Sequence, residues 1–271
     1  MAPAPSKPNF FKTLYYRCYD LGVLPFYDIF VLKITCTAAW KAPLDTILLP
    51  FFRTNFSDDH LDIGVGSGFF PATVLAELPP RDDQQLTLWD LSTTALQKTK
   101  ARVEAAAPHV AVSTIEGDAM GAIKGLEEWG KFESISASLL LHCIPASAEQ
   151  KTRAVAATAR QLLSPTGVFF GATVLGDTKR NRTAPSAVVD WFPTVDVIFG
   201  TAGETRCACE LNMFARGLMW FYNRSGIFTN WNDNPDAFVE ALEDEFEEVD
   251  SWVIGRVLLF RARIPRAESV A

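Results

Sequence analysis

Positive charge, histidine and long apolar runs are all scarce in this chain. Its 25 Lys and Arg are outnumbered by 32 Asp and Glu, leaving a net charge of −7 over 271 residues. A protein that grips nucleic acid or an anionic bilayer needs a basic face. Neither partner is expected here, whereas a small molecule in a local pocket is. The apolar stretch from Leu21 to Ile34 is interrupted by Pro25, Asp28 and Lys33 and falls short of the ~20 residues that span a membrane. It reads as a packed helix. Five scattered cysteines (Cys18, Cys36, Cys143, Cys207 and Cys209) form an odd set, which argues against a disulfide framework and for reduced thiols in the cytoplasm. Cys207-Ala208-Cys209 has no second pair and no nearby histidine to complete a tetrahedral site, so no metal is expected. Basic and apolar leader regions are missing too, and Met1 to Asn9, rich in Pro and small residues, reads as a disordered tail.

What the chain does have is 48% hydrophobic and 12% aromatic residues, enough for a substantial core in one large domain. Phe26, Phe30 and Ile34, flanked by Tyr27 and Val31, recur at helical spacing. Pro43, after Trp40-Lys41-Ala42, ends or kinks that helix. Residues 10–55 therefore read as a helical N-terminal cap on a main domain at 56–271. From Asp62 onward strands and helices alternate. Leu86 to Asp90, Val110 to Ile115, Phe132 onward and Val168 to Val174 read as strands. Ser92 caps a helix running to Ala107, and Ala148 to Leu163 forms another, stopped by Ser164-Pro165-Thr166-Gly167.

Such alternation calls for a parallel sheet with helices on both faces. After a helix over Phe238 to Phe246, the runs Val249 to Ile254 and Arg256 to Ile264 are separated only by Gly255. That gap is too short for a crossover, so the two runs should pair as an antiparallel hairpin. The expected class is α/β and Rossmann-like, with parallel strands plus a C-terminal antiparallel hairpin. Residues 175–210 lack this rhythm, yet Trp191, Phe192, Val195, Val197, Ile198 and Phe199 make them too apolar to float free. This insert is expected to cover a pocket.

The densest chemical signal is His60-Leu61-Asp62-Ile63-Gly64-Val65-Gly66-Ser67-Gly68. Glycine at alternate positions lets the main chain turn sharply and approach a ligand closely. The dinucleotide fingerprint G-x-G-x-x-G is not met, because Phe69 stands where its third glycine belongs. Ligands of open α/β sheets bind at the carboxyl ends of the strands. Three acids fall there in succession: Asp62 at the first, Asp90 at the second and Asp118 just past the third. Asp90, beside Leu91, is placed to accept hydrogen bonds from the two ribose hydroxyls of an adenosine. Asp118, with the Ala119 amide, is placed to read the adenine amino group. Leu139 and Leu140 follow the fourth strand toward the same ligand.

This D-x-G-x-G-x-G pattern resembles motif I of the class I S-adenosylmethionine-dependent methyltransferases. The runs Tyr27-Asp28-x-x-Val31-Leu32, Trp40-Lys41-x-Pro43, Leu140-Leu141-His142-Cys143-Ile144-Pro145 and Leu218-Met219-x-x-Tyr222-Asn223-x-x-Gly226-Ile227-Phe228-x-Asn230 narrow the likeness. They resemble small-molecule methyltransferases of bacteria and of fungal secondary-metabolite clusters. The resemblance runs from Tyr27 to the hairpin, with a departure around residues 184–208. It implies S-adenosylmethionine as cofactor and a polyketide-type substrate, and it allows a homodimer. A fungal branch of similar pattern, the S-adenosylmethionine-dependent Diels–Alderases of the ilicicolin H type, implies a second reading. There the cofactor's charge polarises a substrate carbonyl during cyclisation and no methyl leaves.

Methyl transfer needs orientation and desolvation, and a base only if the nucleophile must lose a proton. His142, just after the fourth strand, is the candidate base, since an unperturbed imidazole titrates near ~6.5. The competing reading is a structural histidine held by a main-chain carbonyl. Cys143 points to the opposite side and reads as packing. For cyclisation, Trp191, Phe192, Phe199, Phe214, Trp220, Phe221 and Tyr222 would form an aromatic wall, with Arg216 and Lys179 as substrate-oxygen contacts. The plainer readings are core and lid packing for the aromatics and surface charge for Arg216 and Lys179. A cofactor-binding sensor without catalysis keeps the same glycine turn and is a third class.

Overall fold

The computed structural model describes residues 28–121, 129–177, 205–208 and 212–267. The expected tail at 1–9, Phe26 and Tyr27 of the cap, and most of the 175–210 insert lie outside them, including Lys179, Trp191, Phe192 and Phe199. Three helical segments come first: α1 (Asp28–Ala39), α2 (Leu44–Leu48) and α3 (Leu49–Asn55). The first two have the wide π winding, and the Trp40 N–H continues it by reaching the Thr35 carbonyl five residues back at 3.0 Å.

Five parallel strands follow: β1 (Asp59–Ile63), β2 (Gln85–Asp90), β3 (Ala111–Glu116), β4 (Phe132–Ser138) and β5 (Leu163–Val174). Between them run α4 (Phe69–Glu77), α5 (Thr93–Ala106) and α6 (Ala148–Leu162). Capping explains where the latter two begin. Ser92 Oγ accepts from the Ala95 N–H at 3.2 Å, and Ser147 with Gln150 closes a reciprocal box on α6. Beyond β5 lie β6 (Thr205–Ala208), α7 (Met213–Ser225), α8 (Pro235–Glu243), β7 (Phe246–Gly255) and β8 (Val257–Pro265). The sheet order is β3-β2-β1-β4-β5-β8-β7-β6, with β8 antiparallel to both neighbours. The parallel sheet and the terminal hairpin are both as expected.

Two expectations are corrected. Ser164-Pro165-Thr166-Gly167 does not interrupt the chain, because α6 passes straight into β5 at Leu163. A register shift against β4, between Phe132 and Ser134, accommodates the proline. The outer edge also carries β6, four residues paired parallel with β7, too few to announce themselves by periodicity.

Strand alternation splits the core between the two faces of the sheet. Phe170 packs with Trp40, Phe51, Phe52 and Trp252 of one cluster, so the cap shares its core with the sheet. Phe169 packs with Phe238, Phe246 and Phe260 beneath α6 and α8. Each ring buried in this way stabilises the fold by about 2 kcal/mol. No helix among the described residues is long and apolar enough to cross a membrane.

Candidate active site

β1 delivers Asp62 to its carboxyl end, and the chain then turns through Gly64 (φ +75°), Gly66 (+54°) and Gly68 (+68°). A residue bearing a side chain would be strained there by roughly 1–2 kcal/mol. Space is as restrictive as torsion. A Cβ on Gly64 would lie 2.5 Å from Leu140 Cδ1, and one on Gly68 would lie 2.5 Å from Thr99 Cγ2. The Gly64 N–H holds the turn to the Trp89 carbonyl of β2 at 2.7 Å. The cap grips it from outside. Ser67 Oγ donates to Asp28 Oδ1 (2.5 Å), and Arg102 donates to both Asp28 Oδ2 (2.6 Å) and the Ser67 carbonyl (3.0 Å).

A cavity of about 530 Å³ opens beside the turn, within the range of small-molecule sites. One wall is polar, made by the main chain from Gly64 to Ser67, by Asp90 to Ser92 and by Gly117 to Met120. Burial raises the Asp90 carboxyl, while the N–H groups of Ser92 (2.8 Å), Gly66, Val65 and Leu91 act the other way. Asp118 is exposed, its Oδ1 accepting from the Met120 N–H at 2.9 Å. The structure thus brings Gly64, Gly66, Asp90, Leu91, Asp118 and Ala119 to one wall, with Leu139 and Leu140 beside them. Asp62 and Gly68 stand behind it, shaping the turn rather than lining the cavity.

The opposite wall is apolar, with Leu32 and Trp40 from the cap, Phe69, Val174, Tyr222 and Phe228. Of the aromatic wall expected on α7, only Tyr222 lines the cavity; Phe214, Trp220 and Phe221 are exposed. Arg216 is also exposed and faces Asp177 at 3.9 Å.

Behind the turn runs a buried polar chain that sequence reasoning missed, since its links join β1 to β4 across more than seventy residues. Ser136 Oγ donates to Asp62 Oδ1 (2.5 Å), and its oxygen accepts from His60 Nε2 (2.9 Å). That leaves His60 Nδ1 as acceptor for the Ser134 hydroxyl at 2.6 Å. Burial pushes His60 down to about 3, and pushes Asp62 up to about 7 despite the Ser136 bond.

His142 lies in the 3₁₀ turn Leu141–Cys143 and lines the cavity while only 4% exposed. Its Nδ1 accepts from the Val174 N–H at 3.3 Å and lies 3.5 Å from Thr173 Oγ1. Its carbonyl accepts from the Thr229 N–H at 2.8 Å, and its ring stands edge-on to Phe228, with centroids 4.3 Å apart. Burial, with the Lys151 charge, pushes the imidazole down to about 3. Lys151, fully buried on α6, is held by Asp233 at 2.6 Å. No sequence signal marked that pair, because lysine is ordinarily exposed.

Residues 61–169 match the family described as methyltransferase domain. The chain is 37% identical to O-methyltransferase NEC2 of Pyricularia oryzae, over 89% of its own length and 89% of that protein. It is 36% identical to the physcion biosynthesis cluster O-methyltransferase of Aspergillus chevalieri, over 92% of this chain and 94% of that one. Among solved structures, human N-acetylserotonin methyltransferase in complex with S-adenosylmethionine is similar with a TM-score of 0.54 at 14% identity, covering 97% of this chain and 60% of that chain. An O-methyltransferase family protein from Burkholderia thailandensis is similar with a TM-score of 0.51 at 18% identity, covering 82% and 55%. The chain spans little more than half the length of these two structures, and the likeness to them is one of fold.

Proposed function

The chain belongs to the S-adenosylmethionine-dependent methyltransferases, and from that premise we propose that it methylates an oxygen of a small, largely apolar, polyketide-type molecule of secondary metabolism. The residues present suit the cofactor. A close-turning main chain, a carboxylate ending β2 and an acid–amide pair after β3 are the donor and acceptor set that an adenosyl group requires. When bound, S-adenosylmethionine supplies a methyl group activated by sulfonium charge. Asp90 accepts the ribose hydroxyls in this reading, Asp118 and Ala119 read the adenine, and the turn from Gly64 to Ser67 seats the remainder. Asp62 and Gly68 hold that turn in shape. The apolar wall excludes water and orients the acceptor, which raises the effective concentration of the two reacting partners.

One observation carries the proposal: acids at two successive strand ends share a single cavity with that apolar wall. Cyclisation is less favoured, because the relatives are named methyltransferases and the aromatic wall it needs is not assembled among the described residues. We extend the reading to a cytoplasmic enzyme that handles no nucleic acid, which the acidic net charge supports. A homodimer would cover the exposed Met213, Phe214, Trp220 and Phe221 of α7. Purified protein mixed with S-adenosylmethionine and hydroxylated aromatic polyketides should yield S-adenosylhomocysteine in step with O-methylated product. Cyclised product with the cofactor unchanged would replace methyl transfer by the pericyclic reading, and tight cofactor binding with no product across the panel would favour a sensor.

A further inference from the structure

We propose that His142 presents an N–H rather than a lone pair to the cavity and there holds the methyl acceptor through an oxygen. The acceptor is accordingly a hydroxyl conjugated with a carbonyl, such as a β-dicarbonyl enol or an electron-poor phenol, which ionises without an enzyme base. This inference rests on the methyltransferase reading and deepens it.

The proton on His142 is placed by its neighbour. The Val174 N–H can only donate, so Nδ1 must offer its lone pair and the neutral ring carries its proton on Nε2. Nε2 has no protein partner among the described residues, and the ring lines the cavity. To act as a base, Nε2 would need the lone pair, and the proton moved to Nδ1 would then face the Val174 N–H donor to donor. Charging the ring is opposed as well. Lys151 projects its cation from α6, with Asp233 already engaged on it, and among the described residues β5 offers the ring only Thr173 and Val174.

Among the described residues, the buried thiol of Cys36, the phenol of Tyr222 and the two carboxylates on the wall do not fill the gap. Burial pushes the Cys36 thiol and the Tyr222 phenol up to about 12, so both keep their protons. Asp90 and Asp118 accept main-chain N–H groups at the far end of the cavity. In this proposal the acceptor gives its proton to water before burial. Its oxygen then forms the new O–C bond as the S–C bond breaks, and that electron pair stays on sulfur. A hydrogen bond from Nε2 to the conjugated carbonyl oxygen stabilises the same anion without occupying the attacking lone pair.

The test uses the full chain with 4-nitrophenol, 4-hydroxyacetophenone and 4-methylphenol as probes. Nitrogen NMR of ¹⁵N-imidazole-labelled protein should find His142 protonated at Nε2; a proton on Nδ1 overturns the assignment. The alkaline rise of kcat/KM should move with the acidity of the probe. His142→Gln, which donates but cannot act as a base, should stay within about tenfold of wild type, whereas His142→Leu should lose about 100-fold. A rise fixed at one pH for every probe sinks the inference. So does equal loss in the two variants while S-adenosylmethionine still binds. If phenolate absorbance reveals no probe binding to protein saturated with S-adenosylhomocysteine, the acceptor class is wrong. Failure of wild type to bind S-adenosylmethionine at all would instead remove the parent reading.

Discussion

Asp62 has the most altered environment of the acids at the site. Burial raises its carboxyl to about 7, against the opposing Ser136 hydrogen bond and with a smaller push from Asp90. In the unfolded chain an aspartate titrates near ~3.9, so the folded state binds the extra proton and the ligand-free protein loses stability as pH climbs from about 4 to about 7. Asp62→Asn should accordingly raise the urea midpoint at pH 8 and have little effect at about pH 4, below which both states hold the proton; equal shifts at both would contradict the burial account. Asp90→Ala should weaken S-adenosylmethionine binding at least tenfold with the circular dichroism spectrum intact, and unchanged affinity by calorimetry would dismiss its ribose role. Residues like Asp90, Gly64 and Asp118 were legible because each sits at the end of a strand whose pattern is local. The proton on His142 was not, since the donor that places it lies at Val174, 32 residues further on.

Elements meet at two joints that tie the cap to the sheet. At one, the β7–β8 turn presses on the end of α1. Gly255 has φ +59°, a Cβ there would collide with the Trp40 carbonyl, and the Arg256 N–H donates to that same oxygen at 2.7 Å. Gly255→Ala should destabilise the protein by about 2 kcal/mol or more, measured by urea unfolding; a near-neutral effect would mean that the joint yields. At the other, Asp28 clasps Ser67 and Arg102 over the glycine turn. Asp28→Ala should speed S-adenosylmethionine release several-fold in stopped-flow displacement, and an unaltered rate would mean that the clasp does not gate the cavity. Short apolar runs alternating with helical segments disclosed the strands, and Gly255 alone between two β-rich runs disclosed the hairpin. The wide winding of α1 stayed hidden, since the four-residue spacing of Phe30 and Ile34 lies midway between turns of about 3.6 and about 4.4 residues.

Across the whole molecule the sheet divides the core in two, and charge is buried among the apolar groups. Lys151 and Asp233 join α6 to the segment before α8 with almost no solvent contact. Removing one member strands the other, so Lys151→Met should lower stability by about 3–5 kcal/mol. The double variant Lys151→Met/Asp233→Leu should recover much of that loss in a denaturation cycle, and additive losses would show that the pair is not coupled. Class and topology were legible because β-α-β alternation and the closing hairpin each constrain the fold. The edge strand β6 was not, its four residues being held by β7 rather than by a pattern of their own. β8, the latest of these strands in sequence, sits inboard between β5 and β7. A nascent chain that has emerged through β7 therefore still carries an open seam at β5. Until β8 takes its place, β5 and β7 lack the strand that joins them.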